Sequence, residues 1–314
     1  MRNRHSVGLI PPIAIAWRRQ RTVIVSMPPD YLAVGHVTED LWRDGRITPG
    51  GTAWFASLAA RRMVDHVSVL TAAAPTYDVQ KHLPGILVHR IESPTTTQFE
   101  NIYTPGGRIQ YTRPSPVRLE PRHLTEALRQ AKIMHLAPVC DEVSPDFATE
   151  AQPDVFIGVT PQGWLRRWDE TGRVYAKKWD AAPQVLARAD AVVISIDDVA
   201  GDWQLALTWV AQARLFVVTE GAAGCTLFLA GKPYHIPAPF VPEVDPTGAG
   251  DIFAATLFIT LQRGGDPIEA CAFACCVASQ SVTRIGLDSL PTPEDLERCS
   301  TIAKRRARVA GHRH

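Results

Sequence analysis

This 314-residue sequence has no strong excess of either charge: 33 lysines and arginines stand against 32 aspartates and glutamates, for a formal net charge of +1. Such a chain has no field of one sign with which to gather nucleic acid or an anionic membrane surface. No apolar stretch is long enough to span a bilayer. None of the six cysteines forms a Cys-x-x-Cys pair, so a zinc site is not expected. There is no long internal repeat and no low-complexity linker. With 46% hydrophobic and 21% charged residues, the composition is that of an ordinary globule. Its length suits one large α/β domain with an insertion, or two domains.

Cys271, Cys275 and Cys276 lie among alanines at helical spacing and read as small core residues. A reduced, cytoplasmic protein is expected from this cysteine usage. Residues 1–29 read as a leader outside the core. Met1 to His5 is basic and Ser6 to Trp17 mostly apolar, but Pro11-Pro12 interrupts the run and no small-residue cleavage site follows. Met27, just before the first strand, is a candidate start. At the other end, residues 299–314 read as a basic tail, with Lys304, Arg305, Arg306 and Arg308 solvated.

The chain is organised around Asp245-Pro246-Thr247-Gly248-Ala249-Gly250-Asp251, which runs straight into the apolar stretch Ile252 to Leu261. A glycine-rich turn opens a helix there, and a carboxylate sits in its first turn. The backbone amides of Gly248, Ala249 and Gly250 would point outward from the positive end of the helix dipole, which makes an anion site. Glycine lets a phosphate come close. An acid beside an anion site repels phosphate, and one reason to keep it there is to take a proton from an attacking hydroxyl. On local physics alone, Asp251 is equally well an ordinary acid at a helix N-terminus.

The motif resembles the second signature of the PfkB (ribokinase-like) carbohydrate kinase family. The resemblance implies that Asp251 is the catalytic base and that Gly248, Ala249 and Gly250 form the hole for the transferred phosphoryl group. It also places Thr247 with the ATP-binding residues. Pro49-Gly50-Gly51-Thr52-Ala53 is similar to the family's first signature, in which the glycine pair contacts the acceptor, and a helix is expected from Trp54 to Met63. Ribokinases carry an asparagine four residues after the second glycine, and here that position is Phe55. The pattern Gly-Gly-x-Ala-x-Phe resembles the myo-inositol kinase-like branch.

Taken in order, Tyr31 to Gly35 reads as the first buried parallel strand, and Asp40 has the spacing of the family's acceptor-binding acid. Thr97 to Arg113 reads as a hairpin turning at Pro105-Gly106-Gly107. Together with strands within 36–48, it would form the family's β lid, which covers the substrate. A helix is expected from Pro121 to about Ala131, and strands at Lys132 to Ala137 and Val155 to Val159. Polar residues just past the carboxyl end of such strands are where α/β sheets bind ligands. Gln162 and Arg166 lie there and resemble the Gln and Arg of the inositol kinase-like branch, with roles toward an acceptor hydroxyl and a phosphate oxygen.

Ala191 to Ile194 reads as a strand leading into Ser195-Ile196-Asp197-Asp198. The family carries Asn-x-x-Glu here, organising magnesium through water, so the resemblance assigns Asp198 to Mg²⁺ through water, with the amide replaced by Ser195. Thr219-Glu220-Gly221-Ala222-Ala223-Gly224 is similar to the family's Thr-x-Gly-x-x-Gly loop, which implies ATP binding by Thr219, Gly221 and Gly224. Asp266-Pro267-Ile268-Glu269 is a strong helix start, for a helix running to about Thr283.

The resemblance covers residues 30–298. It implies a three-layer α/β/α core with a mostly parallel sheet and a small β-sheet lid, using ATP and Mg²⁺. The implied acceptor is a small polyol, held by Asp40, Gly50, Gly51, Gln162 and Arg166. No nucleic-acid or membrane partner is expected, and the chain would be a monomer or homodimer. Two alternatives stay open. One is a nucleoside kinase of the same family, with Trp54 or Phe55 stacking a base. The other is a ligand-binding regulator without turnover.

Overall fold

The computed structural model describes residues 27–104 and 107–311. The leader expected over residues 1–29 lies almost wholly outside the described residues. Among the described residues fifteen strands are found: β1 (Tyr31–Val34), β2 (Thr38–Leu41), β3 (Ile47–Gly50), β4 (Val67–Ala73), β5 (Leu87–Glu92), β6 (Gln98–Thr104), β7 (Gly107–Arg113), β8 (Ile133–Leu136), β9 (Phe156–Val159), β10 (Arg166–Trp168), β11 (Val174–Ala176), β12 (Ala191–Ser195), β13 (Leu215–Thr219), β14 (Cys225–Leu229) and β15 (Lys232–Ile236). The α-helices are α1 (Thr52–Ala60), α2 (Glu126–Arg129), α3 (Asp146–Glu150), α4 (Ala182–Leu186), α5 (Trp203–Val210), α6 (Ala249–Gln262), α7 (Pro267–Ser281) and α8 (Pro293–Gly311).

Nine strands form one sheet in the order β15-β14-β13-β12-β9-β8-β1-β4-β5. All pairings from β13 to β5 are parallel, and β14 and β15 close one edge antiparallel. Alternation along the strands makes the layers. Tyr31, Ala33, Val193 and Val217 face a core shared with α1, α6, α7 and α8. Leu32, Val34, Val192, Ile194, Phe216 and Val218 face the core beneath α2, α3, α4 and α5. Both faces are covered, which is why these strands are apolar throughout rather than alternating with polar residues. The three-layer α/β/α architecture is as expected.

A separate four-stranded sheet, in the order β3-β2-β6-β7, is inserted into this core. It is built from the segments expected to make the lid. An unexpected hairpin, β10–β11, continues it: Tyr111 and Arg173 form a β-bridge, and the amide of Thr112 donates to the carbonyl of Gly172 at 2.8 Å. Here Gly172 is required, because a β-carbon on it would stand 2.4 Å from the Thr112 carbonyl oxygen and its φ is +84°.

Three expectations are corrected. The single helix over 121–131 is two short pieces, a 3₁₀ turn at Pro121–His123 and then α2. The break falls at Leu124, whose φ −74° and ψ 127° are extended, and Thr125 then caps α2 by accepting from the Leu128 amide. Residues 299–311 do not begin a separate tail but continue α8, with Cys299 and Ala303 buried against the core. Nor are all the cysteines reduced: Cys276 on α7 and Cys299 on α8 form a disulfide. Only the packing of the two helices brings those residues together.

Candidate active site

The site gathers at the carboxyl ends of the parallel strands, where α1 and α6 begin. Gly248 caps α6 in the left-handed conformation, with φ 80°, and so turns the chain sharply into the helix. Of the three amides expected to point outward, that of Ala249 is partly used, donating to the Pro246 carbonyl at 3.2 Å. Nothing stands within 4 Å of where a β-carbon on Gly250 would be, so the approach there is open. The Thr247 amide donates to Asp245 Oδ1 at 3.0 Å, which shapes the turn.

Asp251 is half-buried in the first turn of α6. Desolvation is the largest influence on its carboxyl, whose pKa is pushed up to about 7. A hydrogen bond from the Thr52 side chain opposes that rise, Asp198 adds to it by repulsion, Arg166 lowers it, and Asp40 raises it slightly. Thr52 was not singled out in the sequence. It is the first residue of α1, so the two signatures meet as a hydrogen bond between the helices they open. The only signal for it was its place directly after Gly51.

The surroundings of Asp40 are equally close-built. Asp40 lies on β2, where Thr38 Oγ1 donates to its Oδ1 at 3.2 Å. A β-carbon on Gly50 would stand 2.4 Å from Asp40 Oδ2. The carboxylate can lie there only because residue 50 has no side chain. Gly51 has φ 86°, and a β-carbon on it would meet the His36 carbonyl oxygen at 2.7 Å. Arg166 opens β10, with its guanidinium over the Phe99 ring of the lid at 5.8 Å and Nη1 donating to the Val139 carbonyl at 3.4 Å. It therefore touches both lid and core.

Gln162 Nε2 donates to Asp198 Oδ1 at 3.1 Å, while the Ser195 amide donates to Asp198 Oδ2 at 2.9 Å. Ser195 is paired with Thr219 across β12 and β13, so the Asp198 turn stands beside the Thr219–Gly224 loop. In that loop the Thr219 hydroxyl donates to the Ile194 carbonyl at 3.2 Å. Gly221 has φ +56° and open space around it, while Gly224 has φ +106° and would clash at 2.1 Å with the Ile236 carbonyl oxygen if it carried a β-carbon. Asp40, Asp198, Arg166 and Asp251 are thus one electrostatic group, with Gln162 joined to it through Asp198. The Thr219–Gly224 loop stands one strand further along the sheet.

Trp54 and Phe55, offered above as base-stacking rings, are 4% and 7% exposed. They pack on each other edge to face, and Trp54 Nε1 donates to the His82 carbonyl at 3.0 Å. Neither presents a face to a ligand, which corrects that expectation. Two cavities, of about 660 and 530 Å³, lie beside α7 and α8 and include none of these site residues. The convergence of charged groups locates the site, not cavity size.

Residues 171–295 match the family described as pfkB family carbohydrate kinase. A bifunctional protein HldE of Caulobacter sp. (strain K31) is 39% identical over 79 residues, which is 25% of this chain and 16% of that protein. A fructokinase of Klebsiella pneumoniae is 34% identical over 136 residues, covering 38% of this chain and 44% of that protein. The chain therefore spans less than half the length of either curated relative. Among solved structures, a pyrophosphate-dependent myo-inositol-1 kinase variant superposes with a TM-score of 0.72 at 20% identity, over 86% of this chain and 98% of the other. The resemblance read from the two signatures is supported: residues 171–295 match the PfkB family and the chain has a ribokinase-like fold.

Proposed function

We propose that this chain transfers the γ-phosphoryl group of ATP to a hydroxyl of a sugar or cyclitol, with a myo-inositol-like polyol favoured. The observation that carries the reading is Asp251 itself. Its pKa of about 7 lies near neutral pH, where a general base is most effective, and it stands at a helix N-terminus suited to phosphate.

Asp40 and the backbone at Gly50 and Gly51 hold the acceptor. Asp251 takes the hydroxyl proton as that oxygen forms its bond to the γ-phosphorus. The bond to the bridging oxygen breaks in line, and ADP leaves. The amides of Gly248 and Gly250, with that of Ala249 shared with Pro246, offset charge on the moving phosphoryl group, and Arg166 reaches its oxygens. Thr219, Gly221, Gly224 and Thr247 line the donor, and the β2-β3-β6-β7 sheet covers the acceptor and excludes water.

Asp198 would hold Mg²⁺ through water. Both carboxylate oxygens already accept hydrogen bonds, and no group of three metal-ligating side chains occurs among the described residues. Hard ions of this kind keep several waters. Bound with the donor, the ion would neutralise phosphate charge.

A neutral polyol is preferred over a nucleoside because Trp54 and Phe55 are buried. Pyrophosphate is the alternative donor, since the solved kinase described above is pyrophosphate-dependent. The test is donor consumption with ATP or pyrophosphate, with Mg²⁺, over inositols, ketoses, pentoses and nucleosides. Turnover that rises with a cyclitol or sugar supports the reading. If no acceptor stimulates either donor, the chain is a ligand-binding regulator.

A further inference from the structure

We propose that Glu142 is a positioning residue for the acceptor, tying the segment that leads into the Asp40 strand to the loop that supports Arg166. This rests on the acceptor site described above. Glu142 is 4% exposed, and its carboxyl group accepts from three backbone amides on two segments. The His36 amide donates to Oε1 at 3.0 Å, across 106 residues of sequence. The Val139 amide reaches both oxygens at 3.0 Å, and the Cys140 amide reaches Oε2 at 2.6 Å.

Each of those amides stands next to site machinery. His36 follows Gly35 at the end of β1 and leads through Val37 into β2 and Asp40. Its carbonyl oxygen is the atom that Gly51 packs against. Val139 supplies the carbonyl that Arg166 bonds, and Cys140 Sγ pairs with Thr112 Oγ1 of lid strand β7 at 3.1 Å. Through its backbone, Glu142 also holds the returning lid segment: its carbonyl accepts from the Leu119 amide at 2.7 Å. The side chain thus joins the segment entering the Asp40 strand to the Arg166 support, and the same loop holds the base of the lid through the Glu142 carbonyl and Cys140 Sγ.

The loop is built to hold this shape. Asp141 takes φ 59°, a conformation costly for a non-glycine residue and kept only where the surroundings impose it. Lys177 holds its carboxylate at 2.6 Å. On the other side of His36, its Nδ1 pairs with Thr97 Oγ1 at 2.8 Å, and the Ser115 amide donates to the same Thr97 oxygen at 2.9 Å. Three chain crossings between core and lid, at His36, Thr97 and Ser115, therefore share one buried polar junction with the Val139–Glu142 loop. Without Glu142, three buried amides lose their acceptor, and small displacements of positioning groups are costly to catalysis.

Two variants test this. Glu142→Gln keeps the size but offers the amides one oxygen instead of two. Glu142→Asp keeps the carboxylate but shortens its reach by one methylene, and it serves if the glutamine variant fails to fold. The expected result is an acceptor KM raised by about tenfold or more, with the donor KM within about twofold of wild type. Amide exchange should quicken at residues 36–40 while the strands of the large sheet stay protected. Equal shifts in both KM values, an unchanged acceptor KM, or exchange that quickens throughout the sheet would overturn the assignment. Wild-type turnover is measured alongside: an inactive wild type defeats the kinase reading, and the exchange pattern still decides whether Glu142 joins the two segments.

Discussion

A β-carbon on Gly248 would stand 2.3 Å from Cδ1 of Phe55. The ring from the first signature fills the space beside the cap of the second. This accounts for the pairing of an aromatic at 55 with glycine at 248: α1 and α6 meet there, and Phe55 serves packing rather than a sugar hydroxyl.

Gly248→Ala should therefore be damaging twice over. It forces a side chain into the Phe55 ring and into φ 80°, at a combined cost of about 2–5 kcal/mol. Thermal melting measures the loss. The cap would shift as the ring is displaced, so kcat should fall by more than the stability loss alone explains at a temperature where the variant is folded. Unchanged melting would disprove the contact.

Asp251→Asn keeps size and most hydrogen bonding but removes the basic lone pair. With Asp251 as general base, kcat should fall roughly 10²–10⁴-fold, while ATP affinity holds or improves as a negative charge leaves the phosphate site. Steady-state kinetics on a folded preparation decides the matter, and a variant with near wild-type kcat would sink the mechanism.

The same residue predicts a pH dependence of stability. Its folded pKa, about 7, lies above the ordinary value of 3.8. Between those values the folded state binds more protons than the unfolded state, so this contribution is present in full at acid pH and lost as pH rises through about 7. Asp251→Asn does not titrate. Its melting temperature relative to wild type should climb from pH 4 to pH 8, and a flat difference across that range would count against the raised pKa.

Activity should rise with pH along an acid limb set by Asp251, with an apparent pKa of about 7. Asp198→Asn removes a repelling charge and should move that limb to lower pH. Arg166→Met removes an attracting one and should move it higher, and Thr52→Val should act in the same direction by deleting a hydrogen bond to the carboxylate. The pH profile of kcat/KM in the three variants gives the signs. Shifts in the opposite sense would separate the kinetic limb from Asp251.

Cys299→Ser tests the link between α7 and α8. The disulfide closes a separation of 23 residues, and its removal should cost on the order of 3 kcal/mol. Melting with and without reductant, with intact mass to count thiols, measures it. A reductant effect that persists in Cys299→Ser would have to come from another bond.

Contiguous backbone chemistry was legible from residue order alone. The turn Asp245–Asp251 and the pair Gly50-Gly51 announce themselves because a glycine's conformational range is a property of the residue. Apolar runs such as Tyr31–Val34 emerge as buried strands within a residue of the expected limits, because a strand covered on both faces has no polar alternative. Folding alone decided what depends on distance through space. The pKa of Asp251 is set by burial, which raises it, by Thr52 and Arg166, which lower it, and by Asp198 and Asp40, which add to the rise, and those four residues come from separate segments. The bond from Gln162 to Asp198, the contact of Phe55 with Gly248, the bridge from Cys276 to Cys299 and the amides gathered on Glu142 leave no local pattern. Desolvation, Coulomb interaction and steric contact act between atoms that chain order keeps apart, so only the packed sheet and helices could set them.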